Sequence, residues 1–502
     1  MQRNTMPTTQ SAVKGTFLYG SVLIVALVAA YFCIFGPRVP VAGGLGWDGQ
    51  DYAVMSRDLI AAIGSGQFSA YRLLRLFPSL VINGLDIALG MPHPTAAQLV
   101  SVYAAVNFAL LAGSGILWAR IARRSNISPS ASWAVMVLLF VNFASVRFPF
   151  FSPVTTDNFA AFLSMLSLML YLERRCFWLL LVTIAAVFTW PIALLVNGPM
   201  LLTMCQRYEG DKTLDSPLIQ KTLWIGACVI TLALAVYFVY VAPIKAPYGS
   251  AQVAYPLAPL SIALAVAYVG WVARSVPIKP LMGLSKTRLA GVALVTIVVG
   301  IYLLVQGYLR SVSGQPDPIS SASLLRGIVT TAVVRPGQFL VSHVVFFGIW
   351  PILFLIYMKE SFAAVRNYPA LYLTLAITAG FFLLSESRMS TYFLPTMAFA
   401  LARVISQARM VSTMRSAALF FALALLSSRF WLPMGSTDSY DTLLDFPAQL
   451  LFMHIGPWMG DMGYAFAVFQ TILIGAVLVG IVLPQTMRFW STNQSDPYKS
   501  AD

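Results

Sequence analysis

Long apolar runs follow one another through this chain with only short polar breaks between them, beginning with the stretch from about Gly15 to Phe35. Crossing a hydrocarbon core about 30 Å thick takes roughly 20 mostly apolar residues in a helix. In lipid only helices and closed barrels satisfy their own backbone. The runs match the helical solution and leave no room for a separate soluble domain. Composition agrees, with 59% hydrophobic and 10% charged residues and a mean hydropathy of +0.78, against about 45–50% apolar and 25% charged in soluble domains. The expected fold is all-α, a polytopic integral membrane protein with a single transmembrane domain over 1–483 and a cytosolic tail over 484–502.

The formal charge of +14 does not point to nucleic acid, because the cations punctuate the apolar runs instead of clustering on one amphipathic face. That is the pattern of Lys and Arg collecting in cytosolic loops, and the expected surroundings are membrane lipids. The first run exceeds a signal-peptide core of about 7–15 residues and is read as an uncleaved span with its N-terminus in the cytosol. Residues 37–94 then form the first outside loop. Within it, 73–90 are laid in the interface as an amphipathic helix kinked or started near Pro78, since a crossing there would put Arg120, Arg123 and Arg124 outside.

The other spans fall at about 95–119, 128–146, 156–172, 177–190, 191–206, 222–242, 256–273, 289–309, 338–358, 368–385, 389–405, 416–432 and 463–483, about 14 (12 to 14) with the first. The pair around Phe188-Thr189-Trp190-Pro191 is short for two spans and also reads as one broken or tilted helix. In this assignment the cytosolic segments collect 21 of 32 Lys and Arg and 7 of 18 acids, so the outer face is neutral and the inner face carries the whole +14. Two further outside loops can hold a site. One, 310–337, contains an apolar stretch Ser323–Val334 that reads as another interfacial helix; the other, 433–462, holds Asp438, Asp441, Asp445, His454 and Asp461.

The chemistry-bearing residues concentrate on the outer side. Gly46-Trp47-Asp48-Gly49-Gln50-Asp51-Tyr52 puts two carboxylates three apart, on one face if the segment is helical. Two readings stand: a paired acid site, or Asp48 capping a helix that starts near Gly49. Arg72 and Arg75 flank the interfacial helix and suit either bidentate phosphate binding or snorkelling to headgroups. Arg310, Arg326 and Arg335 are weaker candidates of the same kind. Ser385-Glu386-Ser387-Arg388 sits in a very short outside turn, where a charged pair is expected to face protein. Asp157 precedes an apolar run and reads as a helix cap, or as a second acid beside Asp48. His93, His343 and His454 are scattered, and Cys33, Cys176, Cys205 and Cys228 lack Cys-x-x-Cys spacing, so neither zinc nor a disulfide framework is indicated. A hard cation, Mg or Mn, held by Asp48 and Asp51 is compatible with the pattern. No Walker loop or Gly-x-Gly-x-x-Gly follows a strand, which disfavours nucleotide-driven transport and nucleotide-sugar donors.

Residues 40–80, with the Gly-aromatic-Asp-Gly-Gln-x-Tyr signature at 46–52 and Tyr71-Arg72-Leu73-Leu74-Arg75-Leu76-Phe77-Pro78 after it, resemble the first outside loop of bacterial GT-C superfamily glycosyltransferases that use polyprenyl-phosphate sugars. The resemblance implies a GT-C-like fold with interfacial juxtamembrane helices and transfer of a sugar from the lipid-linked donor to a cell-envelope glycan, lipid or protein on the outer face of the cytoplasmic membrane. It implies Asp48 as the base of an inverting single displacement. In the same reading Arg72, Arg75 and Arg388 hold the donor phosphate, and Trp47, Gln50, Tyr52, Tyr71 and Glu386 line the cleft; Asp51 and Asp157 are candidates, from the residues alone, for a second acid or a metal ligand. Two other readings fit the span count: a transporter or flippase of a lipid-linked substrate, which calls for ionisable groups near the midplane, and a non-catalytic assembly subunit.

Overall fold

The computed structural model describes residues 9–204, 217–241, 255–276, 289–316, 328–408, 411, 413–432 and 459–494. Among the described residues the chain is helical, apart from an isolated bridge between Ser69 and Gln315. Five helices are long and apolar enough to cross a membrane: Ala96–Arg124, Gln220–Val241, Ala258–Ser275, Leu289–Val312 and Asp461–Gly480. This is an all-helical membrane protein. The pair Pro129–Phe140 and Phe143–Phe151, bent by 65°, adds a sixth if it counts as one span. Length and composition thus mark out five or six crossings where the sequence leads one to expect about 14. The difference lies in apolar helices of 10–17 residues, which are about 15–26 Å long.

Local chemistry accounts for two of the interruptions. The stretch read as one span over 128–146 is divided into α7 (Pro129–Phe140) and α8 (Phe143–Val146). At the break the Asn142 amide donates to the carbonyls of Leu138 and Leu139, while its oxygen accepts from the Ser145 N–H. One side chain thereby replaces backbone partners on both sides of the break. The stretch 177–206 forms two helices, α11 (Cys176–Val187) and α12 (Ala193–Thr203). The α12 helix runs alongside α10 (Asp157–Leu172) in the same direction, since Asn197 bonds Ser167 and Tyr171 bonds Thr203. The α11 helix therefore returns between them, and its turn with α12 reaches the start of the interfacial helix, where the Phe77 N–H donates to the Phe188 carbonyl at 3.0 Å. The alternative of one broken helix over 177–206 does not hold.

The first outside loop builds a small layer of its own. It contains α2 (Trp47–Arg57), α3 (Leu59–Gly64), α4 (Ala70–Leu73) and α5 (Leu76–Ala88), ahead of the long α6 (Ala96–Arg124). At 13 residues, or about 20 Å, α5 is one of the shorter apolar helices of 10–17 residues. It begins at Leu76, two residues before Pro78, so the proline sits in the first turn without breaking the helix. Its inner face buries Pro78, Ser79 and Ile82, while Leu80, Ile87 and Leu89 are exposed on the other side. Ser79 and Asn83 bond the carbonyls of Tyr52, Ser56 and Arg57, clamping α5 onto α2. The α6 helix opens with a capping box, Thr95 with Gln98, which satisfies two free N-terminal donors.

Of the other outside loops, residues 328–333 are helical and the last helix runs Asp461–Gln494, past the expected start of the tail at 484. Asp438, Asp441, Asp445, His454, Arg326 and Cys205 lie outside the described residues. The ion pairs among the described residues join Arg72 with Asp48 and Asp51, Arg120 with Glu173, Arg335 with Asp461, and Arg388 with Asp157. Each links two residues that the charge-bias topology puts on the same face.

Asp86, on the buried side of α5, is 1% exposed and neither carboxylate oxygen has a hydrogen-bond partner. Burial raises its pKa. A raised carboxyl pKa favours the protonated form of the fold, so this contribution to stability is greatest in acid and declines as pH rises above the unfolded value near 4. Asp86→Leu is expected to stabilise the protein at pH 7 by about 1–3 kcal/mol and to flatten its stability between pH 4 and 7, measured by thermal melting in detergent micelles.

Candidate functional site

Two glycines allow the signature segment to reach its position. Gly46, the N-cap of α2, has φ +77°, a conformation that glycine adopts without steric cost. A Cβ on Gly49 would meet the Val154 carbonyl oxygen at 2.8 Å, so only glycine lets α2 pack this closely on the loop that leads into α10. The helix begins at Trp47 rather than Gly49, which places Asp48 in its first turn, where the positive end of the helix dipole favours a carboxylate. Asp48 makes no capping bond; its carboxylate reaches Arg72 of α4 at 2.7 Å, and Asp51, one turn on, meets the same guanidinium at 3.3 Å. The capping reading of Asp48 is therefore replaced by the paired-acid reading, with Arg72 standing between the acids.

Arg75 lies between α4 and α5 and turns inward, with 6% of its surface exposed. Its guanidinium is held between the rings of Tyr71 and Trp190, 4.5 and 5.9 Å from their centroids. It donates to the Tyr52 hydroxyl at 3.3 Å and to the Tyr71 hydroxyl. Among the described residues it pairs with no carboxylate, and its Nε is buried without a partner. The headgroup-snorkelling reading of Arg72 and Arg75 does not survive, since both side chains are committed to protein.

The late turn completes the cluster. Arg388 forms a two-pronged pair with Asp157, at 3.0 and 2.9 Å, and lies 5.4 Å from the Phe148 ring centroid. Asp157 is the first residue of α10 and Thr156 its N-cap, with no side-chain capping bond, so capping is overturned here too. Glu386 is half-buried and its carboxylate makes no hydrogen bond or ion pair among the described residues, yet it lies within electrostatic reach of Arg388, Arg75, Asp48 and Asp157. Beside Asp157, Thr156 Oγ1 and Asn158 Nδ2 are also buried without partners. Buried polar atoms are normally satisfied, and the Arg75 Nε is one such orphan within the arginine cluster itself.

The acids differ in character. Burial by itself would raise the Asp48 pKa, but the Arg72 hydrogen bond and the charges of Arg388 and Arg75 outweigh it and hold the carboxyl below its ordinary range. Asp51 is raised by burial, which Arg72 only partly offsets and Asp48 reinforces. Glu386 is raised chiefly by burial, against the pull of Arg388 and Arg75. The guanidinium groups of Arg72 and Arg388 are lifted by their carboxylate partners despite burial.

Asp48, Asp51, Arg72, Arg75, Tyr71, Asp157, Glu386 and Arg388 thus form one cluster. Other expected members do not face it in the same way. Gln50 is exposed, Trp47 packs on the main apolar core, and Tyr52, 1% exposed, holds Arg75 from behind. Arg335 is occupied by Asp461 at 2.7 Å, and Arg310 is exposed at the end of Leu289–Val312. Trp190 and Phe148 were not singled out from sequence; the available signal was an aromatic residue beside proline in an outer turn. As for a hard cation, both Asp48 and Asp51 already contact Arg72. Among the described residues no three His, Cys, Asp or Glu side chains gather around a common point. Comparison with protein families, with curated proteins and with solved structures returns no match.

Arg388→Ala leaves the Asp157 carboxylate, 6% exposed, without its partner. Removing one member of a buried pair is expected to cost about 3–5 kcal/mol, whereas the double variant Arg388→Leu with Asp157→Leu recovers most of that loss. Melting temperatures in detergent of the wild type, Arg388→Leu, Asp157→Leu and the double variant check this through a double-mutant cycle.

Proposed function

We propose that this cluster is the active site of an integral-membrane glycosyltransferase of GT-C type. It transfers a sugar from a polyprenyl-phosphate donor to a cell-envelope glycan, lipid or protein on the outer face of the cytoplasmic membrane. The observation that carries the reading is Arg75: a buried guanidinium with no carboxylate and a free Nε donor, next to an ionised acid and two further arginines at the edge of the apolar bundle. A phosphate supplies the missing negative charge and accepts from such a fork in bidentate geometry. The outer placement rests on the charge bias of the loops. The fuller count of about 14 crossings requires the short buried helices to traverse the membrane as well.

In this reading the acceptor oxygen attacks the anomeric carbon from the side opposite the phosphate and its proton passes to Asp48. The bond from carbon to phosphate oxygen breaks, polyprenyl phosphate leaves with the electron pair, and the configuration inverts. The depressed pKa of Asp48 in the unliganded site makes it a weak base at rest. A donor phosphate that draws on Arg72, Arg75 and Arg388 removes part of that depression and adds a negative charge nearby, both of which raise the carboxyl. Substrate binding thereby prepares the base it uses. Trp190, 2% exposed, serves to hold Arg75, and Tyr71, only partly buried, is the aromatic side chain of the cluster for contact with the sugar. Mg or Mn bound at Asp48 and Asp51 would have to displace Arg72 from both, so addition of either ion to EDTA-treated protein tests whether a cation belongs to the site.

Asp48→Asn is expected to lower transfer from synthetic polyprenyl-phosphate sugars by a factor of about 10²–10⁴ with expression and melting temperature retained; wild-type turnover in that variant removes Asp48 as base. Arg75→Ala is expected to weaken donor binding by about 10- to 100-fold, the loss of one charge-assisted contact, measured by donor titration at fixed acceptor.

The pH profiles provide a separate check. The acid limb of kcat/KM, which reports the free enzyme, belongs below the usual carboxylate range for Asp48, and the acid limb of kcat belongs at higher pH. Coincident limbs would falsify activation of the base by the donor.

A further inference from the structure

At the end of the bundle away from Asp48, a cavity of about 620 Å³ opens between the last turn of α6, the last turn of α10 and the helix Leu394–Ala408. It is lined by Arg124, Arg174 and Arg403, with Tyr368, Asn126 and Ser406 between them and, among the described residues, no carboxylate in its walls. The α10 helix separates the two regions: Asp157 starts it and Leu172 ends it, a helix of 16 residues or about 24 Å. We infer that this cavity is a second binding site, one for a phosphate-bearing anion.

Three observations carry the assignment. Glu173, the acid nearest in sequence, is taken by Arg120 in a two-pronged bond at 2.6 and 2.9 Å, and among the described residues no carboxylate pairs with Arg124, Arg174 or Arg403. Arg403 does not float in solvent: its guanidinium is held 6.0 Å from the Tyr368 ring centroid and 5.9 Å from that of Phe399, and its Nε is buried with no hydrogen-bond partner. The three arginines also converge on one concavity. Cations that merely mark a cytosolic face are scattered around its rim and point to headgroups, whereas these surround a volume in the range of small-ligand pockets, about 300–1,000 Å³.

Arginine's planar fork matches phosphate bidentately, so phosphate is the shared chemistry. The cavity exceeds what a phosphate fills, and the Tyr368 ring with Ile127 and Leu172 provides an apolar wall for the organic part of the ligand. The phosphate can belong to an anionic phospholipid entering from the adjacent leaflet or to a soluble phosphorylated metabolite.

The test uses the full-length protein in two arms. In detergent, sodium pyrophosphate is titrated calorimetrically. In nanodiscs of phosphatidylcholine with and without 20 mol% phosphatidylglycerol, retained lipid is counted by native mass spectrometry. Saturable binding in the first arm identifies a soluble phosphate ligand; selective retention of phosphatidylglycerol in the second identifies a lipid headgroup. Arg403→Gln is expected to weaken the binding seen by about tenfold or more, as loss of a charge-assisted contact does. The double variant Arg124→Gln with Arg174→Gln, at exposed positions, is expected to do the same and carries the test should Arg403→Gln fail to fold. Arg75→Ala, which lowers phosphate binding at the Asp48 cluster, leaves in place the component of binding that Arg403→Gln removes. Binding in neither arm, wild-type binding by the arginine variants of the cavity, or loss of that same component in Arg75→Ala overturns the proposal.

Discussion

A guanidinium held inside a largely apolar protein has to find negative charge, and most of the candidate site follows from that requirement. Arg388 and Asp157 satisfy one another almost completely out of water, an arrangement that is tolerable only with the two-pronged geometry they adopt. Arg72 does the same with two acids of α2, in a less buried setting. Once these pairs are made, Arg75 is left with two phenol hydroxyls and two aromatic faces, and Glu386 is left as a carboxyl without a proton donor of its own. Ligand chemistry is concentrated where the matching of charges stops short.

The fold supplies this arrangement by bringing helix beginnings together. Asp48 stands in the first turn of α2, Asp157 opens α10, and Arg388 lies in the 3-10 turn Ser387–Phe393 that feeds Leu394–Ala408. Helix N-termini carry free N–H groups and positive partial charge, which steadies the acids and favours an anionic ligand. The other ends of α10 and Leu394–Ala408 meet again about 24 Å away, around a cavity rich in arginine and lacking acid. Two packed helices thus connect two charged regions of unlike composition, one with compensated arginines and one with arginines left open.

Much of this was legible without coordinates. The apolar runs gave the helical membrane class, the stretch at 73–90 gave the short α5 packed by one face, and in the charge-bias topology every observed ion pair joins residues of a common face. Asp48, Arg72, Arg75, Asp157 and Arg388 could all be selected as residues of interest. Their partners could not, because an acid ahead of an apolar run looks the same whether it caps a helix or faces an arginine far along the chain. Arg72 lies 24 residues from Asp48, and Arg388 lies 231 from Asp157. Trp190 escaped notice for the same reason: its role exists only because the α11–α12 turn lies against Arg75.

By itself, the sequence determined solvent and secondary structure, since hydropathy and residue spacing are local properties that lipid and backbone hydrogen bonding act on directly. It did not determine where helices break or which charges meet. Asn142 interrupts its helix through bonds made by its own side chain, and α11 and α12 fold back on one another beside α10. Only tertiary structure decided those matters, because the energy of a buried charge depends on what lies within a few ångströms of it in space, and chain separation carries almost no information about that distance.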